Sequence, residues 1–542
     1  MQLIADRVAL PSESSGATDI QTALPANIAR EYAKPHQALV GDLAKARAQP
    51  AAFLASRIEY ARLVRRLISL GMCRLSTHAL VVNGLFCVPK DDWWLRLIID
   101  CRPVNAVFAD APPLSLPTPD ILASARIPRD RRIKVAHSDV DNAFHRMRLP
   151  VWMQAYFALP ALRAADVGAE AEFGADTLVY PLLTRLPMGW SHSPFLCQAV
   201  HRHIVLAATR LSADDEISAD TDAVVDRPRW CVYLDDFTLL CPEDCDPGAI
   251  FSEYLRAMAR HGLPAKPSKV EPPADCASSL GLHIDCVEGT IGVAPHKLHA
   301  LCLETESVLA QREISGYGLS ALLGKWTWAM LVRRPSLAVF TAVYRFVETA
   351  RWRVFRIWPS VRRELRVAMG LVPLLFADVA APWAPLIVAT DASEFGEGVV
   401  ARRADPAEAE AEAALARKSP ASTLTAAQDS ELRVATVAGG KWSEIISARW
   451  QFADQHINTF ELRAMLTAAR WLSSRPALLG ARVLLLSDSS VAVSAMSKGR
   501  SSSFSLLRVL RPFAALCLAC GLTVWPRWLP SERNPADAAS RR

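Results

Sequence analysis

The run Cys231-Val-Tyr-Leu-Asp-Asp-Phe-Thr-Leu-Leu240 sets two adjacent carboxylates in the middle of an otherwise apolar stretch. Apolar and β-branched residues on both sides predict a buried strand or a strand-turn-strand hairpin, with Asp235 and Asp236 at the turn. Like charges about 4 Å apart cost roughly 4 kcal/mol at an effective dielectric of about 20, and a divalent cation reverses that sign. Taken alone, the stretch leaves two readings open, a solvated acidic turn and a turn that binds metal. The rest of the chain has to decide between them.

A chain of 542 residues, 51% of them hydrophobic, has room for three or four domains with ordinary cores. Its net charge is only +6, but arginines cluster in Arg126-Ile-Pro-Arg-Asp-Arg-Arg-Ile-Lys134 and Arg351-Trp-Arg-Val-Phe-Arg356. Such clusters suit a phosphate backbone, and each would serve equally as a solvated face. The twelve cysteines are scattered. Cys517 and Cys520 form the single C-x-x-C, inside an apolar helical run with no second Cys/His pair nearby, so core packing is expected there rather than zinc. Asp6 and Arg7 interrupt the apolar opening, and no apolar run approaches the roughly 20 residues of a membrane span. A soluble intracellular protein of the cytoplasm or nucleus, with no membrane partner, is expected.

Residues up to about 50 carry no identifiable chemistry and read as an extension. A helix follows, ending at Gly71, and then Asn83-Gly84 is expected to turn a hairpin. Lys90 and Arg96 flank the tip of the next one, on Leu95 to Asn105. Asp139 closes an apolar strand, Asp141 is a candidate helix cap, and Phe144 lies five residues beyond Asp139. In Leu186-Pro-Met-Gly-Trp-Ser-His-Ser-Pro-Phe-Leu-Cys-Gln198 a tight turn precedes a helix, and Gly189 would let backbone approach a ligand. Lys269 follows the acidic hairpin, and 296–369 is helical and basic. Beyond Pro385 come Asp391 on a strand, an Ala/Glu tract over 407–416 read as a solvated helical insertion, Glu461 on an amphipathic helix, Asp488 at the end of a buried strand, and Asp537 at the start of a terminal helix.

In this order, Leu95 to Asn105, Asp139 to Phe144, Leu186 to Gln198, Tyr233-Leu-Asp-Asp236, Lys269 and Leu280-Gly281 resemble the motifs of a retroelement reverse transcriptase. Thr-Asp391-Ala-Ser, Glu461-Leu-Arg-Ala, Ser-Asp488-Ser-Ser and Asn-Pro-Ala-Asp537 resemble the ribonuclease H domain that such polymerases carry. The resemblance implies an α+β right-hand polymerase (fingers, palm, thumb) followed by an α/β ribonuclease H-like mixed-sheet domain. Expected divisions are 1–60 for the extension, 61–285 for fingers and palm, 286–384 for thumb and connection, and 385–542 for the nuclease, with the insertion near 403–440.

The resemblance further implies copying of RNA into DNA by two-metal nucleotidyl transfer, and cleavage of the RNA strand of RNA–DNA hybrids. Asp139, Asp235 and Asp236 would hold one pair of Mg²⁺ ions, and Asp391, Glu461, Asp488 and Asp537 a second, with Mn²⁺ as an alternative ion. Partners would be an RNA template, a DNA primer, the hybrid and dNTPs. Lys90 and Arg96 would clamp the triphosphate, Lys269 would assist proton transfer to pyrophosphate, and Val140 would offer a backbone contact. The Phe144 ring would exclude a ribose 2′-hydroxyl, while Met188, Gly189 and Trp190 would line the template side of the nascent pair. Met188 departs from the polar or aromatic residues more usual at its position. Likewise, Pro530-Ser-Glu-Arg-Asn-Pro535 lacks the histidine that many ribonucleases H place there. One segment of a mobile element's polyprotein is expected; the rival is a decayed or domesticated copy that binds nucleic acid without catalysis.

Overall fold

The structure is a computed structural model that describes residues 3–11, 16–219, 223–417, 439–451 and 455–542. Its amino-terminal part is built on a four-stranded antiparallel sheet ordered Glu271–Ala274, Ile133–Asp139, Asp236–Pro242, Arg229–Tyr233. The two central strands are buried along most of their length because both faces are covered, polar residues such as His137, Ser138 and Thr238 included. Phe237 and Leu239 pack with the helices Ser193–Ala208 and Pro247–Arg260 on one face, while Val135 and Leu240 join a second core on the other.

A second antiparallel sheet, Cys276–Ser279, Leu282–Asp285, Thr290–Val293 and Phe376–Asp378, leads into the helices Pro295–Ala310, Gly316–Leu331, Ala342–Ala350 and Pro359–Gly370. The expected division at 285/286 cuts the hairpin formed by Leu282–Asp285 and Thr290–Val293. The carboxy-terminal part is a five-stranded mixed sheet ordered Ser443–Arg449, Gly396–Arg403, Trp383–Ala392, Arg482–Ser487, Thr523–Trp528, antiparallel at the first two junctions and parallel at the last two. Parallel neighbours require crossovers, which the helices Ile457–Ser473 and Phe504–Ala519 supply. An α+β unit thus precedes an α/β mixed-sheet unit. No helix among the described residues is long and apolar enough to cross a membrane.

Three local expectations are corrected. The described residues up to 50 do not stand apart as an extension: Leu3, Ala5, Val8 and Ile20 are fully buried in the first core, and Thr18–Asp19 pairs in parallel with Met147–Arg148. Asn83-Gly84 is not a hairpin turn. Asn83 is buried and donates from Nδ2 to the Tyr156 carbonyl, Gly84 begins the strand Gly84–Pro89, and the reversal falls at residues 90–94. The acidic Asp-Asp-Trp-Trp sequence supplies that turn, with Asp91 Oδ1 accepting from the amides of Trp93 and Trp94.

The Ala/Glu tract is not solvated where it is described, over Pro406–Arg417; residues 418–438 of the expected insertion lie outside the described residues. Helical spacing brings Ala409, Glu412 and Ala413 to one face, and that face covers Ile387, Ala389, Leu484 and Leu486 of the carboxy-terminal sheet. Glu412 is 2% exposed and accepts at 2.9 Å from Nε of Arg527, itself 4% exposed. Removing one partner of such a buried pair strands a charge, which typically costs about 3–5 kcal/mol, whereas apolar replacement of both is far milder. Glu412→Ala is therefore expected to destabilise the protein by roughly 3 kcal/mol, and Glu412→Leu combined with Arg527→Met to recover most of that loss, as read from denaturant unfolding.

Candidate active sites

The first acidic site follows from strand register. Asp236 opens its strand directly opposite Asp139, the last residue of the adjacent one, while Asp235 lies in the turn from Tyr233. All three carboxylates are partly buried, and Asp139 is near enough to raise both of the others, but their oxygens do not converge within 4.8 Å as those of the second acidic group do. Burial, reinforced by Asp139, pushes Asp235 up to about 6. Burial, with Asp235 and Asp139 as neighbours, pushes Asp236 up to about 7. Asp139 is raised mainly by burial and held back by Lys266 and Lys269. Protein groups alone leave this trio short of countercharge, as expected of side chains suited to a divalent cation.

A hydrogen-bonded cradle fixes the turn. Leu234 adopts φ +56°, a left-handed conformation uncommon for a leucine. Its amide donates to Gln198 Oε1 at 2.7 Å, and Gln198 Nε2 donates to the Val232 carbonyl at 2.8 Å. The Leu234 carbonyl accepts from His201 Nδ1 at 2.8 Å. Burial pushes His201 down to about 4, so the ring is neutral at physiological pH. With Nδ1 donating, Nε2 must accept, and its partner is the Tyr254 hydroxyl at 3.0 Å. Both clamping side chains lie one turn apart on the helix Ser193–Ala208, so the helix behind the sheet sets the position of the acidic turn.

A cavity of about 320 Å³ opens beside these acids, lined by Lys90, Arg96, Lys266, Asp139, Val140, Phe144, Met188 and Asp235 among others. Lys266 has no expected role and lies three residues before Lys269 in the same Pro/Lys-rich stretch, where no spacing singles it out. Its amide donates to the Asp139 carbonyl at 2.8 Å. Lys269 faces a second cleft with Asp139, Asp236, Lys297 and Trp328. Gly189 has φ +135°, and a Cβ there would lie 2.0 Å from the Ile99 carbonyl oxygen, so only glycine lets this loop lie against the Arg96 strand. The Met188 carbonyl accepts from the Ile99 amide at 3.0 Å, and Asn105 brackets the loop by donating to Gly189 O and accepting from Ser191 N.

Three expected roles change. The Trp190 ring does not line a template path: it is 1% exposed, edge-on to Phe108 and Phe157 and stacked on His192 at 4.8 Å between centroids. The backbone contact expected at Val140 narrows to its carbonyl, since the amide donates to the Asp235 carbonyl at 2.9 Å. Asp141 is not a helix cap; its carboxylate accepts from Nη2 of the buried Arg146 at 2.5 Å.

The carboxy-terminal sheet carries a second acidic group. Asp391 lies near the end of Trp383–Ala392, Asp488 follows the adjacent parallel strand, and Glu461 projects from the first turns of Ile457–Ser473. One carboxylate oxygen from each lies within 4.8 Å of the others. Glu461 Oε2 and Asp488 Oδ1 are buried without a hydrogen-bond partner. Burial, then Asp488 and Asp391, push Glu461 up to about 9, and burial likewise raises Asp391 to about 6. Two orphaned acceptor atoms in an anionic pocket fit a divalent cation.

Asp537 stands beside this trio, pairing at 2.7 Å with Arg541 one helical turn on. Two residues without an expected role hold Asp391 instead: Asn534 Nδ2 donates to Oδ1 at 3.1 Å, and the Ser540 hydroxyl donates to Oδ2. Asn534 belongs to the loop that lacks a histidine. The terminal helix reaches Asp391 because Gly398 lies opposite it, where a Cβ would come within 2.6 Å of the Ala536 carbonyl oxygen.

Comparison with known proteins bears on the first site. Residues 88–284 match the family described as reverse transcriptase (RNA-dependent DNA polymerase). The Gag-Pro-Pol polyprotein of Human T-cell leukemia virus 3 (strain 2026ND) is 26% identical over 208 residues, covering 38% of this chain and 13% of that polyprotein. Among solved structures, a foamy viral protease-reverse transcriptase bound to double-stranded DNA is 14% identical at a TM-score of 0.49, covering 95% of this chain and 75% of that one. A foamy viral protease-reverse transcriptase bound to an RNA/DNA hybrid is 12% identical at a TM-score of 0.47, covering 99% and 81%. The stretch that matches this family, 88–284, carries Lys90, Arg96, Asp139, Asp235 and Asp236.

Proposed function

We propose that the chain is an RNA-directed DNA polymerase that copies RNA into DNA at Asp139, Asp235 and Asp236 and degrades the RNA strand of the resulting hybrid at Asp391, Glu461 and Asp488, with Asp537 alongside. The main support is the register that sets Asp139 opposite Asp236 next to a cavity bearing Lys90, Arg96 and Lys266. Two Mg²⁺ ions at each site, with Mn²⁺ as an alternative, would neutralise the attacking and leaving oxygens of an in-line displacement at phosphorus.

The protein's own groups do the rest. Lys90, Arg96 and Lys266 bind the triphosphate, and their charge draws it toward the acids. Phe144, in the wall of the same cavity, excludes a 2′-hydroxyl and so favours dNTPs. Gly189 and Met188 present backbone and side chain to the nascent pair. Lys269 lines the second cleft rather than the triphosphate cavity, so the proton expected from it for the departing pyrophosphate would come instead from Lys266, which lines that cavity. At the second site Asn534 and Ser540 hold Asp391 in one orientation, leaving Glu461 Oε2 and Asp488 Oδ1 to complete the ligand set.

Asp235→Asn is expected to reduce primer extension on an RNA template to background while sparing hybrid cleavage, and Asp391→Asn to do the reverse. Loss of both activities in either variant would contradict two separate sites. Hybrid binding without extension by the unaltered chain would favour the decayed-copy reading.

The turn cradle gives a second expectation. His201→Leu should lower kcat about tenfold, or 1.4 kcal/mol of barrier, by releasing the Leu234 carbonyl, with KM for dNTP nearly unchanged because the triphosphate cavity is untouched. His201→Gln, which can still donate there, should restore part of the rate.

The raised carboxylates set a pH dependence. A group whose carboxyl pKa is higher in the folded protein stabilises the fold fully below its unfolded value, and that stability is lost as pH rises through the folded value. In metal-free protein the thermal midpoint should therefore fall from about pH 4 upward, through about 6 and 7 for Asp235, Asp391 and Asp236, and on to about 9 for Glu461. Saturating Mg²⁺ should flatten the profile, and Glu461→Gln should remove its alkaline part.

A further inference from the structure

We propose that Cys276, His283 and Asp285 form a binding site for a zinc-class divalent cation, on the outward face of the second sheet and apart from both carboxylate centres. Linear spacing gives no hint of it, since the three residues match no C-x-x-C or H-x-x-x-H pattern. Register makes the site. Cys276 pairs directly with Asp285, and His283 lies two residues before Asp285 on the same strand, opposite Ser278. Side chains two apart share a face, so thiol, imidazole and carboxylate emerge side by side. The alternate residues Ala277, Leu282 and Ile284 point into the core and fix which face that is.

One ligand atom from each of the three lies within 4.8 Å of the others, close enough for a single ion to bridge them after small rotations. The carboxylate is already oriented: Asp285 Oδ1 accepts from the amides of Val287 and Glu288, both at 2.9 Å, which leaves the second oxygen for a ligand. Cys276 is exposed, so an ion has a path in. Burial and the nearby Asp285 carboxylate raise the Cys276 thiol, so ionising it without a cation is disfavoured; a bound cation reverses that term.

The donor set decides the class of ion. Thiolate and imidazole with one carboxylate suit Zn²⁺ and its borderline neighbours, whereas Mg²⁺ requires oxygen ligands. Three side chains would leave a fourth position to water. An ion here would fasten the edge strand Cys276–Ser279 to its neighbour; on the opposite face of that edge strand, Ser279 already meets Thr238 of the Asp236 strand at 2.5 Å. The site would therefore brace the sheet beside the first acidic centre. It requires neither nucleic acid nor catalysis and stands independently of the proposed polymerase activity.

The test is a Co²⁺ titration of the purified full chain under reducing conditions, with excess Mg²⁺ to occupy the carboxylate centres. A thiolate-to-cobalt charge-transfer band should saturate at one ion per chain, disappear on adding Zn²⁺, and be lost in Cys276→Ser and in His283→Ala. Serine at an exposed position keeps the fold, which circular dichroism verifies, and Cys286→Ser, at a buried neighbouring thiol, should leave the band intact. No band, a band that persists in Cys276→Ser, or one lost equally in Cys286→Ser would overturn the proposal.

Discussion

Crowded, partly buried carboxylates are the constraint around which the two halves of this protein are arranged. Each acidic group taken from water into a region of lower dielectric is disfavoured as an anion, and each like-charged neighbour adds to that. Asp235, Asp236 and Glu461 are all raised above the usual carboxylate range, with burial the largest cause in every case. Such groups persist only where surrounding structure holds them in place, and a divalent cation is the natural counterweight.

The two centres solve the holding problem differently. In the first, a two-strand register and a left-handed Leu234 place the acids, and Gln198 and His201 grip both backbone polar groups of Leu234 from a helix behind the sheet. Backbone geometry carries the acids there. In the second, the acids come from a strand, a strand end and a helix, and Asn534 and Ser540 orient Asp391 through its side-chain oxygens. Small residues make both arrangements reachable: Gly189 admits a loop against the Arg96 strand, and Gly398 admits the terminal helix against the Asp391 strand.

Much of this was legible in the sequence because it is local. Apolar runs interrupted by acids marked the strand that ends in Asp139, the hairpin that turns at Asp235 and the strand that Asp488 follows, and helical spacing marked the helix that carries Glu461. What misled was environment. Trp190 follows a glycine in a motif expected to line the template, yet its ring is captured by an aromatic cluster assembled from residues 32, 108, 157 and 192. The Ala/Glu helix has a composition typical of solvent, but Arg527, more than a hundred residues away, gives Glu412 a partner and so a place inside. Asn83-Gly84 has the composition of a turn, and the Tyr156 carbonyl instead draws Asn83 into the core.

By itself the sequence determined the element order, the two acidic groups and the resemblance they carry, since patterning and short motifs are written in neighbouring residues. Tertiary structure alone decided which acids meet, because strand register is a long-range property: it set Asp139 against Asp236, left Asp537 beside rather than within its trio, and brought Cys276, His283 and Asp285 to one face. It also converted the opening residues from an apparent appendage into core, because apolar side chains at Leu3, Val8 and Ile20 are worth more buried against the first sheet's helices than left in water.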